Sequence, residues 1–299
     1  MTQPQPGQDA GRGIHRFTVG ALTCAVVSDG QLDPPWDPPL REFFTPATGV
    51  PERELRAAAA REGRARPTVT CGYNCLCVET ADGFAVIDTG LGRGFPGYGP
   101  HITPLVGRFA GRLAEAGLRG REPAAVLFTH LHEDHTRGAV WPGEPAFPDA
   151  AAYAHAAELA YWSATSCPAP ADQRGPALRA IRALGAGLRA FEYGAEVLPN
   201  VRTVEAAGHT PGHTAFLLES RGERLLCAGD TFHDPLQLGH LAWRTPWDLD
   251  GPRSVLSRRR LLDLAAAERL PVHAYHLPFP GLGLVERHGD AFTWQPVLP

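Results

Sequence analysis

Short apolar segments alternate with longer amphipathic ones along most of the chain. Residues 13–20 and 22–30 each have the length and composition of a strand, and together they predict a hairpin. Residues 69–80 and 84–90 predict a second hairpin. Residues 124–130 are a short apolar run, which predicts a strand that ends in a histidine.

Helical patterns fill much of the remaining sequence. Residues 51–63 begin with Pro51, carry acidic residues in the first turn and end at Gly63, as a helix does. The other predicted helices are 103–118, 155–164, 174–187 and 253–270. The later predicted strands are 201–208, 214–220, 223–230, 271–276, 283–289 and 291–297.

The predicted strands cluster toward both ends of the chain, with helices between and around them. This order predicts an α/β protein with the architecture of an αββα sandwich. Residues 14–299 are predicted to form one domain. Residues 1–13 predict a disordered N-terminal tail, because glutamine, proline and glycine offer little to bury.

Residues 31–46 are dense in proline and also contain Trp36, Phe43 and Phe44. Proline lacks the backbone N–H that a helix interior or a central strand needs, so we expect neither structure here. The segment is expected to be either a loop packed on the core or a lid over a pocket.

Composition and charge restrict the partners and the compartment. The 299 residues are 43% hydrophobic, and 28 basic against 32 acidic residues give a net charge of −4. A small molecule is therefore the expected partner, rather than nucleic acid or a membrane. The N-terminus lacks an apolar targeting segment, so we expect a cytoplasmic protein in which Cys71, Cys75 and Cys77 are buried, reduced thiols. A homodimer is left open.

Residues 130–135, with the sequence HLHEDH, crowd three histidines and two acidic residues together. At the end of a strand His130 and His132 would point to one face, and Asp134 and His135 would follow where the chain turns. Imidazole nitrogens and carboxylate oxygens suit Zn²⁺ and similar divalent ions. We interpret this segment as half of a metal site.

Three later segments offer the remaining ligands. Each lies at the end of a predicted strand or in a glycine-rich turn, and each carries a pair of candidates. The pairs are His209 and His213, Asp230 and His233, and His273 and His276. A single histidine in such a place would usually be structural. Together with HLHEDH there are four such segments, and four of them in one chain are improbable by coincidence.

In chain order, DTG at 88–90, HLHEDH at 130–135, GHTPGH at 208–213, GD at 229–230 and the late His276 resemble the five motifs of the metallo-β-lactamase superfamily of hydrolases. The resemblance covers roughly residues 14–297 and implies two metal sites. The ligands it implies are His130, His132 and His209 for the first ion, Asp134, His135 and His276 for the second, and Asp230 as a bridge. Asp88 would support the site without being a ligand.

Finer similarities refine these assignments. The family pattern favours His209 as the ligand and makes His213 a neighbour that orients it. Residues 276–283 resemble methyl parathion hydrolase and its relatives, which favours His276 over a structural His273. Related acyl-homoserine lactonases usually carry a tyrosine where this chain has His233.

Two positions in the HLHEDH region need separate comment. Arg137 stands where the family usually has a small residue, so the exit of the loop is expected to differ. Glu133 lies between ligands and is not expected to bind the metal.

A dinuclear site implies a hydrolytic mechanism. Two divalent ions about 3.5–4 Å apart lower the pKa of a bridging water toward about 7. The hydroxide would cleave an ester, lactone or phosphotriester of a small molecule, with Asp134, Asp230 and His233 as the catalytic residues. Zinc is the expected ion, with Mn²⁺, Co²⁺ or Fe²⁺ as alternatives. The competing hypotheses are a thioesterase of glyoxalase II type, an iron-dependent oxygenase or redox protein, and a metal-binding domain without catalysis.

Overall fold

Two mixed sheets carry the chain in the computed structural model, which describes residues 13–97, 105–118, 122–140 and 143–297. The predicted disordered tail falls almost entirely on residues outside these ranges. None of the helices in the described ranges is long and apolar enough to cross a membrane.

The first sheet has seven strands that lie in chain order. They are β1 (Ile14–Val19), β2 (Leu22–Leu32), β3 (Cys71–Thr80), β4 (Gly83–Ile87), β5 (Ala125–Leu127), β6 (Ala151–His155) and β7 (Leu188–Phe191). Strands β1 to β4 pair antiparallel, which confirms both predicted hairpins. Strands β4 to β7 pair parallel. The sequence patterns did not predict β6 and β7.

The second sheet also has seven strands. They are β8 (Glu196–Leu198), β9 (Val201–Glu205), β10 (Thr214–Ser220), β11 (Glu223–Cys227), β12 (Val272–His273), β13 (Leu282–His288) and β14 (Ala291–Pro296). Within this sheet, the β11–β12 pair is parallel and the other pairs of described strands are antiparallel. The strand predicted over residues 271–276 is limited to two residues, and His276 lies in the turn that follows.

Helices cover the outer faces of both sheets. They are α1 (Leu40–Thr48), α2 (Glu52–Arg61), α3 (Phe109–Glu115), α4 (Glu133–Thr136), α5 (Ala156–Ser163), α6 (Ala171–Leu184), α7 (Leu236–Gly239) and α8 (Gly251–Glu268). Their apolar side chains pack on the sheets, and a separate apolar layer fills the space between the sheets. The predicted αββα sandwich is confirmed.

Strand β3 shows why the layers matter for the sequence pattern. Its first eight residues are all buried, on both faces, because helices lie on one side and the second sheet on the other. Cys71, Cys75 and Cys77 are buried free thiols in this strand, as predicted.

The prediction that residues 31–46 contain no helix is wrong. Helix α1 begins at Leu40, directly after Pro39, and continues through Pro46 to Thr48. The earlier prolines precede the helix, where their missing N–H groups cost little. Pro46 removes one helical hydrogen bond, but the burial of Leu40, Phe43 and Phe44 offsets that loss. The segment packs on the core, in agreement with one of the two expectations.

The packing of α1 can be tested at Phe44, which is fully buried with its ring 5.5 Å from that of Trp243. Phe44→Ala should lower the free energy of unfolding by about 3–5 kcal/mol, because it leaves a cavity. Arg41→Ala, on the exposed side of the same helix, is the control and should change it by less than about 0.5 kcal/mol. Urea denaturation followed by circular dichroism measures both, and equal small effects would contradict the packing of α1.

Candidate metal centre

The segments singled out by the sequence all follow strands, and their side chains meet in one place. His130 and His132 follow β5, and Asp134 and His135 lie in the short helix α4. His209 lies in the turn between β9 and β10, Asp230 in a 3-10 turn after β11, and His276 in the turn after β12. The fold therefore brings together residues that are up to 146 positions apart in the chain.

Three ring nitrogens converge in the first group of side chains. His130 Nε2 and His209 Nε2 each lie 3.0 Å from His132 Nδ1. All three rings are buried. The three nitrogens are close enough to bind one ion together.

Hydrogen bonds determine which of these nitrogens carry lone pairs. Asp248 accepts a hydrogen bond from His209 Nδ1, so His209 Nε2 has a free lone pair. The hydroxyl of Thr129 donates to Asp88 and therefore accepts from His130 Nδ1, which leaves the lone pair on His130 Nε2. Two lone pairs thus face a single nitrogen of His132, which has at most one proton to donate. A cation would satisfy all three nitrogens at once.

Asp230 lies between this first group and a second one. Its Oδ1 is 3.3 Å from His135 Nε2, and its Oδ2 is 3.2 Å from His276 Nε2. Asp230 Oδ2 is also 3.4 Å from His209 Nε2. Asp134 Oδ2 completes the second group, 3.3 Å from His276 Nε2. A carboxylate in this position can contact ions in both groups.

The electrostatics of the first group favour neutral rings at His130 and His132. Burial and the neighbouring histidines hold the pKa of His130 well below its usual value. Burial and the adjacent His209 lower the pKa of His132 to about 3. Neutral imidazoles at neutral pH are the form that binds metal ions.

The second group has the opposite balance of charge. Burial disfavours a charged His135 ring, but the carboxylates of Asp230, Asp134 and Asp88 raise its pKa to about 10. Burial would raise the pKa of Asp230, yet His276 and His135 hold it well below its usual value. Carboxylates in this group are therefore ionised and ready to balance positive charge.

Two atoms of the second group show that these residues fit a metal ion. His135 Nε2 and Asp230 Oδ1 are buried and lie 3.3 Å apart, but they do not form a hydrogen bond with each other or with another group in the described ranges. Buried polar atoms in folded proteins nearly always have a partner. Imidazole nitrogens and carboxylate oxygens together are the ligand set of zinc and similar divalent ions.

Asp88 supports both groups without joining either. Its Oδ2 accepts a hydrogen bond of 2.8 Å from His135 Nδ1, which turns His135 Nε2 toward Asp230. It also binds the backbone N–H and the hydroxyl of Thr129, next to His130. Asp88 has φ of +59°, a strained value for a residue other than glycine, which its three hydrogen bonds offset.

The prediction that His213 orients His209 is wrong. His213 donates from Nδ1 to the Ala206 carbonyl and accepts at Nε2 from the backbone N–H of Asp230, so it positions Asp230. Gly229 makes this possible, since a Cβ there would lie 2.7 Å from His213 Nε2. Asp248 orients His209 instead. The sequence offered no signal that distinguished Asp248 from other loop aspartates.

The other residues singled out from the sequence, His273, Glu133 and Arg137, contribute no side chain to either group. His273 is buried beside Cys227 and takes no part in the cluster. Glu133 points to Arg179, 3.2 Å away. Arg137 is buried, and its guanidinium donates to the backbone carbonyls of residues 91–94, which holds the loop after Asp88. A cavity of about 400 Å³ beside α4 is lined by none of the clustered histidines.

His233 lies where the cluster meets an aromatic surface. Its Nε2 is 3.2 Å from Asp230 Oδ2, and its ring is stacked on that of His276. On the other side, the rings of Phe43 and Trp247 lie 6.4 and 6.2 Å from the His233 ring. Trp247 is 37% exposed, so this surface leads from solvent toward Asp230.

Comparison with protein families gives a direct match. The model of the metallo-β-lactamase superfamily matches residues 68–276, more than half of the chain. This range includes all the residues that the structure gathers in the two groups. No curated protein matches the sequence.

Solved structures resemble this one over nearly its whole length. AidC, described as a dizinc quorum-quenching lactonase in complex with a hexanoyl-homoserine product, has a TM-score of 0.84 and 22% identity, covering 96% of this chain and 98% of that one. The hydrolase AbOPH of the β-lactamase superfamily has a TM-score of 0.82 and 22% identity, with the same coverage. A probable metal-dependent hydrolase from Staphylococcus aureus has a TM-score of 0.70 and 19% identity, covering 95% of this chain and 100% of that one. At these identities, the TM-scores establish a shared fold and nothing more.

The hydrogen bond between Asp248 and His209 predicts an effect on metal binding. Asp248→Asn removes the charge that fixes the ring, so the affinity of the first group for Zn²⁺ should fall by about 10-fold or more. Asp250→Asn is a matched control in the same loop, because the side chain of Asp250 caps α8 and does not orient His209. Zinc titration of the metal-free proteins with a competing chelator measures both. Equal affinities in the two variants would exclude this role for Asp248.

Proposed function

The chain belongs to the metallo-β-lactamase superfamily, and on that premise we propose that it is a dinuclear metal-dependent hydrolase. Its substrate would be a small molecule with an ester, lactone or phosphotriester bond. The observation that carries this proposal is the convergence of imidazole lone pairs in the first group beside a buried Asp230.

We assign the ligands by the group in which each side chain lies. The first ion would be held by three histidines and the second by two histidines and a carboxylate, with one shared aspartate. The proposed ligands are His130, His132 and His209 for the first ion, Asp134, His135 and His276 for the second, and Asp230 for both. This is the arrangement that the resemblance implied.

When bound, two divalent ions supply a water with a pKa of about 7 and a Lewis acid for the substrate oxygen. The residues of the chain provide the placement. Asp230 Oδ1 faces His135 of the second group, and Asp230 Oδ2 lies between His276 of the second group and His209 of the first. Asp134 lies at the partly exposed edge of the second group, with its side chain 24% accessible. A substrate therefore reaches the centre from the side of Asp134 and His233.

The surface beside His233 indicates the kind of substrate. Phe43 and Trp247 lie edge to face, 5.0 Å apart, and offer an apolar wall next to the proposed metal centre. Such a wall suits a neutral substrate with an apolar group. The product described in the AidC structure combines an acyl chain with homoserine, which makes lactones the first class to test here.

Metal content and activity test this function together. The protein purified without chelator should carry close to two divalent ions per chain and hydrolyse a neutral lactone, aryl ester or phosphotriester. Asp134→Ala should lose one ion and nearly all activity, while circular dichroism shows an unchanged fold. The fold should survive because a core of this size does not depend on one metal.

The matched control for Asp134→Ala is Glu133→Ala, since Glu133 is the adjacent acidic residue and pairs with Arg179. It should keep both ions and most of the activity. A folded, active protein without metal would refute the proposed function. Loss of both ions from Asp134→Ala, with the fold intact, would refute this division of the ligands.

His233 is proposed to bind the substrate oxygen or to protonate the leaving group. His233→Phe keeps the ring but removes its nitrogens, so turnover on a substrate with a poor leaving group should fall by roughly 10². The loss should be smaller for an acidic leaving group, which needs no proton. Steady-state kinetics on matched alkyl and nitrophenyl esters measures the difference.

Metal analysis of His233→Phe separates this role from metal binding, because the ring lies close enough to Asp230 and His209 to share an ion with them. We expect the variant to keep two ions. His233→Tyr, which supplies a phenolic hydroxyl as a hydrogen-bond donor, should recover part of the lost turnover. Unchanged turnover of His233→Phe on the substrate with the poor leaving group would mean that His233 only lines the pocket and has no catalytic role.

A further inference from the structure

Glu158 is a fully buried carboxylate that touches two of the proposed metal-binding loops. It is the third residue of α5, and its exposed fraction is 0%. Its Oε2 accepts a hydrogen bond of 3.1 Å from the backbone N–H of Leu131, which lies between His130 and His132. Its Oε1 accepts one of 2.8 Å from the backbone N–H of Gly212, three residues after His209.

The helix does not need Glu158 for its own cap. A glutamate at the third position often turns back to the start of its helix. Here the Nδ1 of His155 already accepts the N–H of Ala157, and Glu158 turns away from the backbone of α5. The carboxylate therefore serves contacts with other segments.

The loop that carries His209 packs directly on the start of α5. A Cβ on Gly212 would lie 2.6 Å from the backbone nitrogen of Glu158 and 2.9 Å from its Cγ. Only glycine allows the loop to come so close. The contact between Glu158 and Gly212 is thus a tight one, with little freedom to shift.

Trp162 strengthens the same connection. Its Nε1 donates a hydrogen bond of 2.7 Å to Glu158 Oε2, and its ring packs edge-on against His132, with the centroids 5.7 Å apart. Trp162 is fully buried. Glu158 therefore reaches all three loop histidines of the first group, through Leu131, Trp162 and Gly212.

The energetic cost of Glu158 indicates a specific purpose. Burying a carboxylate is expensive, and it is tolerated here by three N–H donors and by the N-terminal end of α5. An apolar residue at this position would leave the N–H groups of Leu131 and Gly212 buried and without this acceptor. The side chain joins two loops that are separated by about 80 residues in sequence.

We propose that Glu158 is a positioning residue that fixes the distance between the His130–His132 loop and His209, and so sets the metal affinity of the first group. This inference rests on the proposed function. Glu158 itself contacts none of the ring nitrogens that would bind the ion. It acts through the backbone on either side of them.

Glu158→Gln tests the proposal with almost no change in volume. An amide has one acceptor oxygen, so its NH₂ group must face either Gly212 N–H or the N–H groups of Leu131 and Trp162. One link between the loops is lost. The affinity of the first group for Zn²⁺ should fall by about 10-fold or more, measured by titration of the metal-free protein against a competing chelator.

Two backgrounds show which ion is affected. In Asp134→Ala, which isolates the first group, Glu158→Gln should give the full loss of affinity. In His209→Ala, which isolates the second group, it should give none. Equal losses in both backgrounds, or no loss in either, would overturn the proposal. A wild-type protein that binds no divalent ion would instead refute the proposed function.

Asp29→Asn is the matched control for loss of a buried carboxylate. Asp29 is fully buried and accepts backbone N–H groups from Leu91, Gly107 and Phe109, in segments that hold no proposed ligand. Asp29→Asn and Glu158→Gln should both lower the unfolding midpoint, but Asp29→Asn should leave zinc affinity in the Asp134→Ala background unchanged. An equal loss of affinity would make Glu158 merely structural.

Gly212→Ala tests the same contact from the other side and serves if Glu158→Gln does not fold. The added methyl must push the loop away from Glu158. Zinc affinity of the first group should again fall by about 10-fold or more, with the second group unaffected. Unchanged affinity in a folded Gly212→Ala protein would overturn the proposal.

Discussion

The structure depends on a buried place where imidazole nitrogens face one another. His130 and His209 both direct ring nitrogens at His132, and hydrogen bonds on the far side of each ring prevent it from turning away. Nitrogens held in this way repel one another unless a cation lies between them. Asp230 supplies negative charge at the same place. The rest of the fold can be understood as the framework that keeps these groups together.

Several of the proposed ligands are held by an element other than their own. Asp88 at the end of β4 holds His135, Asp248 before α8 holds His209, and the carbonyl of Gly72 in β3 accepts from His276 Nδ1. The hydroxyl of Tyr275 donates to the carbonyl of Asp134. Because both sheets and several helices contribute, the geometry of the site follows from the packing of the sandwich. A change in one supporting residue is therefore expected to act on metal binding before it acts on the fold.

The sequence predicted those parts of the site that are marked by a pattern of neighbouring residues. The HLHEDH segment and the later histidines at strand ends were recognisable because metal ligands repeat in a short space and follow apolar runs. Asp248 and Glu158 were not recognisable, since each is a single carboxylate whose partner lies far away in sequence. The helix at Leu40–Thr48 was missed because proline was weighed as a breaker, whereas burial of Phe43 and Phe44 decided the local structure. Strands β6 and β7 were missed because they have only five and four residues, and most of β6 is alanine.

The central claim is that these side chains hold two ions in two adjacent groups. Anomalous X-ray scattering from crystals of the zinc-loaded protein, collected on both sides of the zinc absorption edge, locates the ions without any assumption about activity. The account predicts two peaks, one among His130, His132 and His209 and the other among Asp134, His135 and His276, with Asp230 between them. A single peak, or peaks away from these residues, would contradict it.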